Sequence, residues 1–350
     1  MSKQYSRRYF LRAALLGGGV LAAASLAPAL LPMTARAGAG AVDTGHAPLT
    51  RTSLFMGAIV SLSVANAPAA QAEEGMGRAF AVGRGLADVF SRFAAGSALS
   101  ALNAAGSLAD APPALMALLE RARRMGVVTN GAFDVTVLPV LRLLEAGRNP
   151  QGVMRVDAAE MRQALELVGA DHLRCGAGRI DFARAGMGVT LDGIAKGHIA
   201  EAMSRELAAA GCPDHLVNAG GDIVARGRKA LDTPWRVAVE DPQKRGRFPQ
   251  IVELASGGAM ATSGGYEVFY DAAQRHNHLV SPATGQSPAL AGVTVTAPDG
   301  LTADALATAL AVMPAREALQ LADALPGCAC CLLRKDGLMH VSTRWPGRAA

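Results

Sequence analysis

The sequence predicts an α+β fold, on three observations. Segments with strand and helix periodicity interleave along the chain, without the strict strand–helix–strand alternation of a doubly wound parallel sheet. The chain closes on a hairpin, in which Cys328–Leu333 and Met339–Thr343 flank Lys335-Asp336-Gly337. Its 350 residues hold no long low-complexity linker and no fixed-period repeat, enough for one large domain or two intimate subdomains. The expectation is mixed sheets with flanking helices.

The elements follow in order. Leu54 to Val64 alternates as a first strand, with Met56-Gly57 inside it. Gly75 to Phe93 has helical periodicity, and Ser97 to Asn103 opens a short element. Pro112 to Met125 reads as a helix with Pro-Pro in its first turn, and Ala158 to Val168 as another. Asp181 leads a strand-like run into a Gly-rich turn, after which Lys196 to Ala210 is a helix closing at Gly211. Leu216 to Val224 is a strand into a Gly turn; Trp235–Glu240, Gln250–Leu254 and Gly292–Thr296 are strands. Thr302–Val312, capped by Thr302, and Arg316–Ala324 are helices.

The N-terminus reads Ser6-Arg7-Arg8-Tyr9-Phe10-Leu11-Arg12, then an Ala/Gly/Leu-rich run from Ala13 to Leu31, then Ala35-Arg36-Ala37. Basic, apolar and small-x-small regions in that order make a secretory signal, and the arginine pair before Phe-Leu is its twin-arginine form. The run is nearly long enough for a retained anchor. Its Gly and Ala content and well-formed cleavage site favour removal near Ala37, leaving a periplasmic protein without a stable membrane anchor. Residues 38–50 then form a flexible arm and 51–345 the functional domain.

The signal carries Lys3, Arg7, Arg8, Arg12 and Arg36 and no acid. Taking those five from the 34 Lys and Arg leaves 29, equal to the 29 Asp and Glu. The basic balance thus belongs to the address segment, and nothing remains to suggest a nucleic-acid partner. Five cysteines (175, 212, 328, 330, 331) fit no zinc spacing. Cys328-x-Cys330-Cys331 runs into Leu332-Leu333 and reads as a buried strand of small hydrophobes, with a disulfide left open outside the cytoplasm.

Three segments belong together: Gly193-Ile194-Ala195-Lys196-Gly197, Asn218-Ala219-Gly220-Gly221-Asp222 and Asp304 to Thr308. The first is a small-residue turn with one lysine. The second is a glycine pair between an amide and a carboxylate. The third sets a carboxylate and a hydroxyl four residues apart on one helix face. Backbone amides, one cation and two hard oxygen ligands suit a Mg2+-bound pyrophosphate. Each has a structural reading beside this one. Asp304 is also a favourable first-turn acid, and the glycines also serve a plain turn. Lys196 at a helix N-terminus is unfavourable unless an anion stands beside it. His278 is the best acid/base candidate, with a satisfied strand histidine as its structural alternative.

In order and spacing these segments resemble the ApbE family, the FAD:protein FMN transferases. Ala261-Thr262-Ser263-Gly264 and His278-Leu279-Val280-Ser281-Pro282-Ala283-Thr284-Gly285 match further family segments, although Ser281 stands where relatives usually have Asp. Gly131-Ala132-Phe133-Asp134-Val135-Thr136, Leu102-Asn103 and Met56-Gly57 match earlier ones more softly. The resemblance implies Mg2+ held by Asp304, Thr308 and the Ala195 carbonyl. It implies a flavin nucleotide against Met56, Asp134, Lys196, Asn218, Gly220, Gly221, Asp222, Thr262, Ser263 and Gly264, with His278 assisting catalysis. It implies transfer of FMN from FAD to a Thr or Ser hydroxyl of an exported flavin-accepting subunit of a membrane electron-transfer complex, with release of AMP. A FAD pyrophosphatase and a non-catalytic flavin carrier remain the alternatives. A redox flavoenzyme is less favoured, since the motifs gather around phosphate and only 4% of residues are aromatic.

Overall fold

A computed structural model describes residues 47–148, 153–243, 248–254 and 257–349. The signal segment and the arm as far as residue 46 lie outside the described residues. The strands are β1 (Leu49–Phe55), β2 (Ala58–Val64), β3 (Ser107–Leu108), β4 (Leu173–Gly176), β5 (Arg179–Phe182), β6 (His215–Ala219) and β7 (Asp222–Arg226), then β8 (Trp235–Val239), β9 (Gln250–Leu254), β10 (Gly258–Gly264), β11 (Leu290–Ala297), β12 (Ala329–Arg334), β13 (Met339–Val341) and β14 (Arg348–Ala349). The helices are α1 (Ala69–Phe90), α2 (Ala98–Ala105), α3 (Pro113–Val128), α4 (Leu138–Ala146), α5 (Ala158–Leu165), α6 (Ala195–Ala209), α7 (Gly300–Val312) and α8 (Ala315–Ala324).

Eight strands form the main sheet, in the order β1-β2-β6-β7-β10-β11-β12-β13, and all its neighbours pair antiparallel. Its two faces are buried differently, as the two-residue strand period requires. Val217, Ala219, Val224, Ala259, Ala261, Val293 and Val295 point into the principal core with α6 and α7. Ile223, Ala225 and Met260 point the other way, onto Trp235, Val237 and Val252 of a small sheet ordered β14-β9-β8. Helices, large sheet and small sheet make three layers. A third cluster joins α4 and α5 to Tyr270 and Val280.

Several expectations are corrected. Leu54–Val64 is not one strand: Met56 and Gly57 both take positive φ (56° and 66°) and close a two-residue hairpin between Phe55 and Ala58. Both turn positions of such a hairpin need the left-handed region, which matches the twist of the flanking strands. Leu49 and Thr50, assigned to the arm, are in β1. Gly220-Gly221 makes the turn its glycines suggest (φ 69° and 104°), but it divides the run Leu216–Val224 into the two strands β6 and β7. The run from Asp181 leaves strand geometry after Phe182. Asp299, not Thr302, caps α7, its carboxylate accepting from the Thr302 N–H at 3.0 Å. Helix α4 and strand β10 were not anticipated. No helix among the described residues is long and apolar enough to cross a membrane.

Candidate active site

One end of the main sheet collects the motif residues. Antiparallel pairing sets the Met56-Gly57 turn and the Gly220-Gly221 turn side by side, with the Gly220 N–H donating to Ile59 O at 3.2 Å. The end of β10 and the start of β11 lie at the same edge, since Gly264 pairs with Gly292 and Met260 with Ile223. Helices α6 and α7 lie across the core-facing side of these strands.

Helix α6 begins at Ala195 and has no side-chain cap of its own. Its first N–H groups therefore need acceptors from elsewhere. The Gly197 N–H finds one across the structure, donating to Asp304 Oδ2 of α7 at 2.9 Å. Lys196, one residue earlier, pairs with the buried Asp222 at the start of β7. The anion that a lysine at a helix N-terminus requires is thus supplied by the Gly-Gly hairpin. Thr308, one turn beyond Asp304, has its Oγ1 3.3 Å from Ser263 Oγ and 3.5 Å from the Gly193 carbonyl. Close approach at this point depends on glycine: a Cβ on Gly193 would lie 2.7 Å from Thr308 Oγ1.

The electrostatics follow from burial. Asp304 is 3% exposed. Desolvation pushes its carboxyl well above the usual range and the Asp222 carboxylate adds to this, while Lys196 and the Gly197 N–H act against it. A buried acid reluctant to ionise unaided is one that a cation would stabilise. Among the described residues no three His, Cys, Asp or Glu side chains are grouped to hold a metal ion. The donors here are instead one carboxylate, hydroxyls and backbone carbonyls, an oxygen-only set that fits Mg2+ completed by phosphate or water.

Lys196, Asp222, Ser263, Asp304, Thr308 and the turn containing Ala195 therefore come together. Asn218 and Thr262 do not point into this group. Their strand neighbours place them on the opposite face of the sheet, where Thr262 Oγ1 meets Thr294 Oγ1 at 2.9 Å. Asn218 Oδ1 accepts from the Gly221 N–H at 2.8 Å and so shapes the turn. Asp134 spends both oxygens internally, Oδ1 on Thr136 and Oδ2 on the Ala170 N–H at 3.0 Å. The Asn103 side-chain amide clamps the Val189 backbone, donating to its carbonyl at 2.8 Å and accepting from its N–H at 2.7 Å.

His278 is half-buried on the irregular hairpin after β10, its N–H donating to Val268 O. Its neighbour Asn277 packs against Gly265, next to Gly264, which ties this hairpin to the Ser263 end of the site. Ser281 builds a turn, its carbonyl accepting from Gly285 N–H at 2.8 Å. The carboxylate on this hairpin is Asp271, which accepts from the Arg275 and His276 N–H groups at 2.8 Å each. Its Oδ2 lies 3.6 Å from His276 Nδ1. Burial acts to raise the Asp271 carboxyl, but the two amides and His276 bring it below the usual range.

Sequence reasoning missed Glu201 and Arg226, and it named Arg92 only inside the family-like segment Phe90-Ser91-Arg92-Phe93, without a role. Arg92, 10% exposed, pairs with Asp192 at 2.8 Å and Glu145 at 3.1 Å. Asp192, to which the motifs assign no function, thereby anchors the turn before α6. Glu201 is a buried acid on α6, four residues after Gly197. That spacing, an acid on the face a glycine shows to be crowded, was the available signal.

Comparison with known proteins agrees with this geometry. A model of the ApbE family matches residues 56–332. A FAD:protein FMN transferase of Treponema pallidum is 31% identical over 300 residues, which cover 79% of this chain and 82% of that protein. One of Klebsiella pneumoniae is 32% identical, over 59% of this chain and 61% of the relative's length. The solved structure of the flavin transferase ApbE from Vibrio cholerae superposes with a TM-score of 0.72 at 25% identity, covering 85% of this chain and 98% of that one. The same order of segments, the same fold and a matched region spanning most of the 350 residues make this chain a member of the ApbE family.

Proposed function

We propose that this protein transfers FMN from FAD to a Thr or Ser hydroxyl of an acceptor protein, releasing AMP. The observation that carries the reading is the convergence of Lys196, Asp222, Ser263, Asp304 and Thr308 at one sheet end. The family membership and the names of its relatives support flavin as the substrate. Asp304, Thr308 and a carbonyl of the Gly193–Ala195 turn would hold Mg2+, which when bound lowers the cost of negative charge on phosphate oxygens.

The chain's own residues do the positioning. Lys196 presents a cation at the mouth of α6, and its pairing with Asp222 fixes the ammonium's direction before substrate arrives. The glycine turns let backbone approach the nucleotide. His278 accepts the acceptor's hydroxyl proton, directly or through water. The freed oxygen attacks the FMN-side phosphorus, the pyrophosphate P–O bond breaks, and AMP leaves with its electron pair. Positioning and charge stabilisation account for most of the rate in such transfers. The acceptor is an exported flavin-carrying subunit of a membrane electron-transfer complex, and the twin-arginine signal of this chain would bring it to the same compartment, the periplasm.

The test mixes the chain from Gly38 with FAD, Mg2+ and an exported acceptor domain, reading acceptor fluorescence in gels together with AMP. A fluorescent acceptor with matching AMP is expected. AMP with a dark acceptor would convert the reading to a hydrolase. Asp304→Ala should abolish transfer, since it removes the one carboxylate of the oxygen set that would hold the metal. Near-normal transfer by that variant would remove the metal assignment.

A further inference from the structure

Helices α6 and α7 exchange carboxylates. Asp304 of α7 accepts the orphan Gly197 N–H in the first turn of α6 at 2.9 Å. Glu201 of α6 accepts the orphan Gly300 N–H, the first of α7, at 3.1 Å. Both acids stand four residues after a glycine, and the two glycines are where the helices touch. A Cβ on Gly197 would overlap the Gly300 carbonyl, and one on Gly300 would overlap the Gly197 carbonyl. The second Glu201 oxygen takes Arg226 of β7 at 2.8 Å, so the clasp is also bolted to the sheet. Asp222, at the other end of that strand, is the partner of Lys196.

We propose that Glu201 is the positioning residue of the cation site. It touches neither substrate nor metal. It sets where α7 begins, hence the height of Asp304 against the mouth of α6, one helical turn further on. With Glu201 in place, Asp304 gives one oxygen to Gly197 and holds the carboxylate plane for a cation. Without it, the first turn of α7 loses an acceptor that no side chain of its own supplies, since Asp299 already serves Thr302. This inference rests on the metal assignment made above, and a separate variant tests that assignment.

The experiment is Mn2+ binding to the metal-free protein without FAD, followed by calorimetry and by the electron paramagnetic signal of free Mn2+. Asp304→Ala reports on the metal site. It is expected to abolish binding, and binding unchanged from wild type would overturn the metal assignment and this inference with it. Glu201→Ala reports on the clasp. It should remain folded by near-ultraviolet circular dichroism and bind Mn2+ at least tenfold more weakly, the range seen when a group supporting a metal ligand is removed. A folded Glu201→Ala with wild-type Mn2+ affinity, beside a dead Asp304→Ala, would overturn the positioning role and spare the metal site. Should Glu201→Ala not fold, Glu201→Gln combined with Arg226→Met decides the matter. The amide oxygen still accepts from Gly300 and no buried charge is left unpaired. Affinity within threefold of wild type is expected, and a tenfold loss would refute the hydrogen bond as the agent.

Discussion

Asp304 closes the first turn of one helix, and in the function proposed above it would also offer an oxygen to a cation. Around it, neighbouring side chains on a single strand have opposite fates. Ser263 faces Thr308, whereas Thr262 faces Thr294 on the other side of the sheet. Thr262→Val should therefore leave FAD affinity within threefold of wild type, while Ser263→Ala weakens it several-fold; quenching of flavin fluorescence on titration measures both. The motif Ala261-Thr262-Ser263-Gly264 could be found in the sequence, but not which hydroxyl turns inward. That depends on β10 being a strand, and its Ala- and Gly-rich composition has weak strand propensity. Asp134 and Asn218 were found the same way, and both proved to serve backbone amides. Carboxylates and amides near turns satisfy local N–H groups as readily as they bind ligands.

At the scale of elements, the helix pair is the sensitive joint. Gly197→Ala would drive a methyl into the Gly300 carbonyl. The helices must separate, so stability should fall by about 2 kcal/mol, within the range for overpacked sites; urea unfolding followed by circular dichroism measures it. Helices with clear periodicity were legible within a few residues: α3, α6 and α8 all stand where the pattern put them. Turns were not. Met56 at positive φ is an unusual choice for a hairpin that Asn or Gly would announce. Helix α4 went unread because its run of Leu and Val around Pro139 has too few polar residues to reveal a period. The buried reading of Cys328–Leu333 was right: Cys328, Cys330 and Cys331 are buried and free, as is Cys212, and burial raises their thiols. A thiol reagent should label the exposed Cys175 quickly in the native state and all five only after unfolding, as counted by mass spectrometry.

Over the whole molecule, one buried and one half-buried imidazole resist protonation. His215 donates from Nδ1 to Cys212 O at 2.7 Å, and its Nε2 lies 2.7 Å from Ser204 Oγ; burial pushes the ring below its usual value and so favours the neutral form. His198, packed against Phe90, is pushed by burial down from 6.5 to about 4. Between those two values the unfolded chain binds the proton that the folded chain refuses. His198 therefore contributes stability above pH 6.5 that is lost as pH falls towards 4, at most about 3 kcal/mol. Asp304, with its carboxyl raised, has the opposite sign, so the test is the difference in stability between wild type and His198→Gln. That difference should move against wild type from pH 6.5 to 4 and level off below; a flat difference would refute the assignment. The main sheet has one further consequence, for the order of assembly. Strands β2 and β6 are neighbours in space, with Val64 opposite His215 and the Ala65 N–H on Asp214 O at 2.8 Å. Between them the chain makes an excursion of roughly 150 residues, whose closure costs about 4 kcal/mol of chain entropy beyond a constant. The Met56-Gly57 turn precedes that excursion, while Lys196, near its end, is only 26 residues from its partner Asp222 and packs with the strands that follow. The neighbouring strands from β10 to β13 pair over separations far smaller than that excursion and can form earlier. The long closure alone brings the Met56-Gly57 turn beside the Gly220-Gly221 turn, and so joins the two parts of the site. A flavin nucleotide that needs both parts recognises the chain only after this last and least local step, and by mass action it holds that step shut.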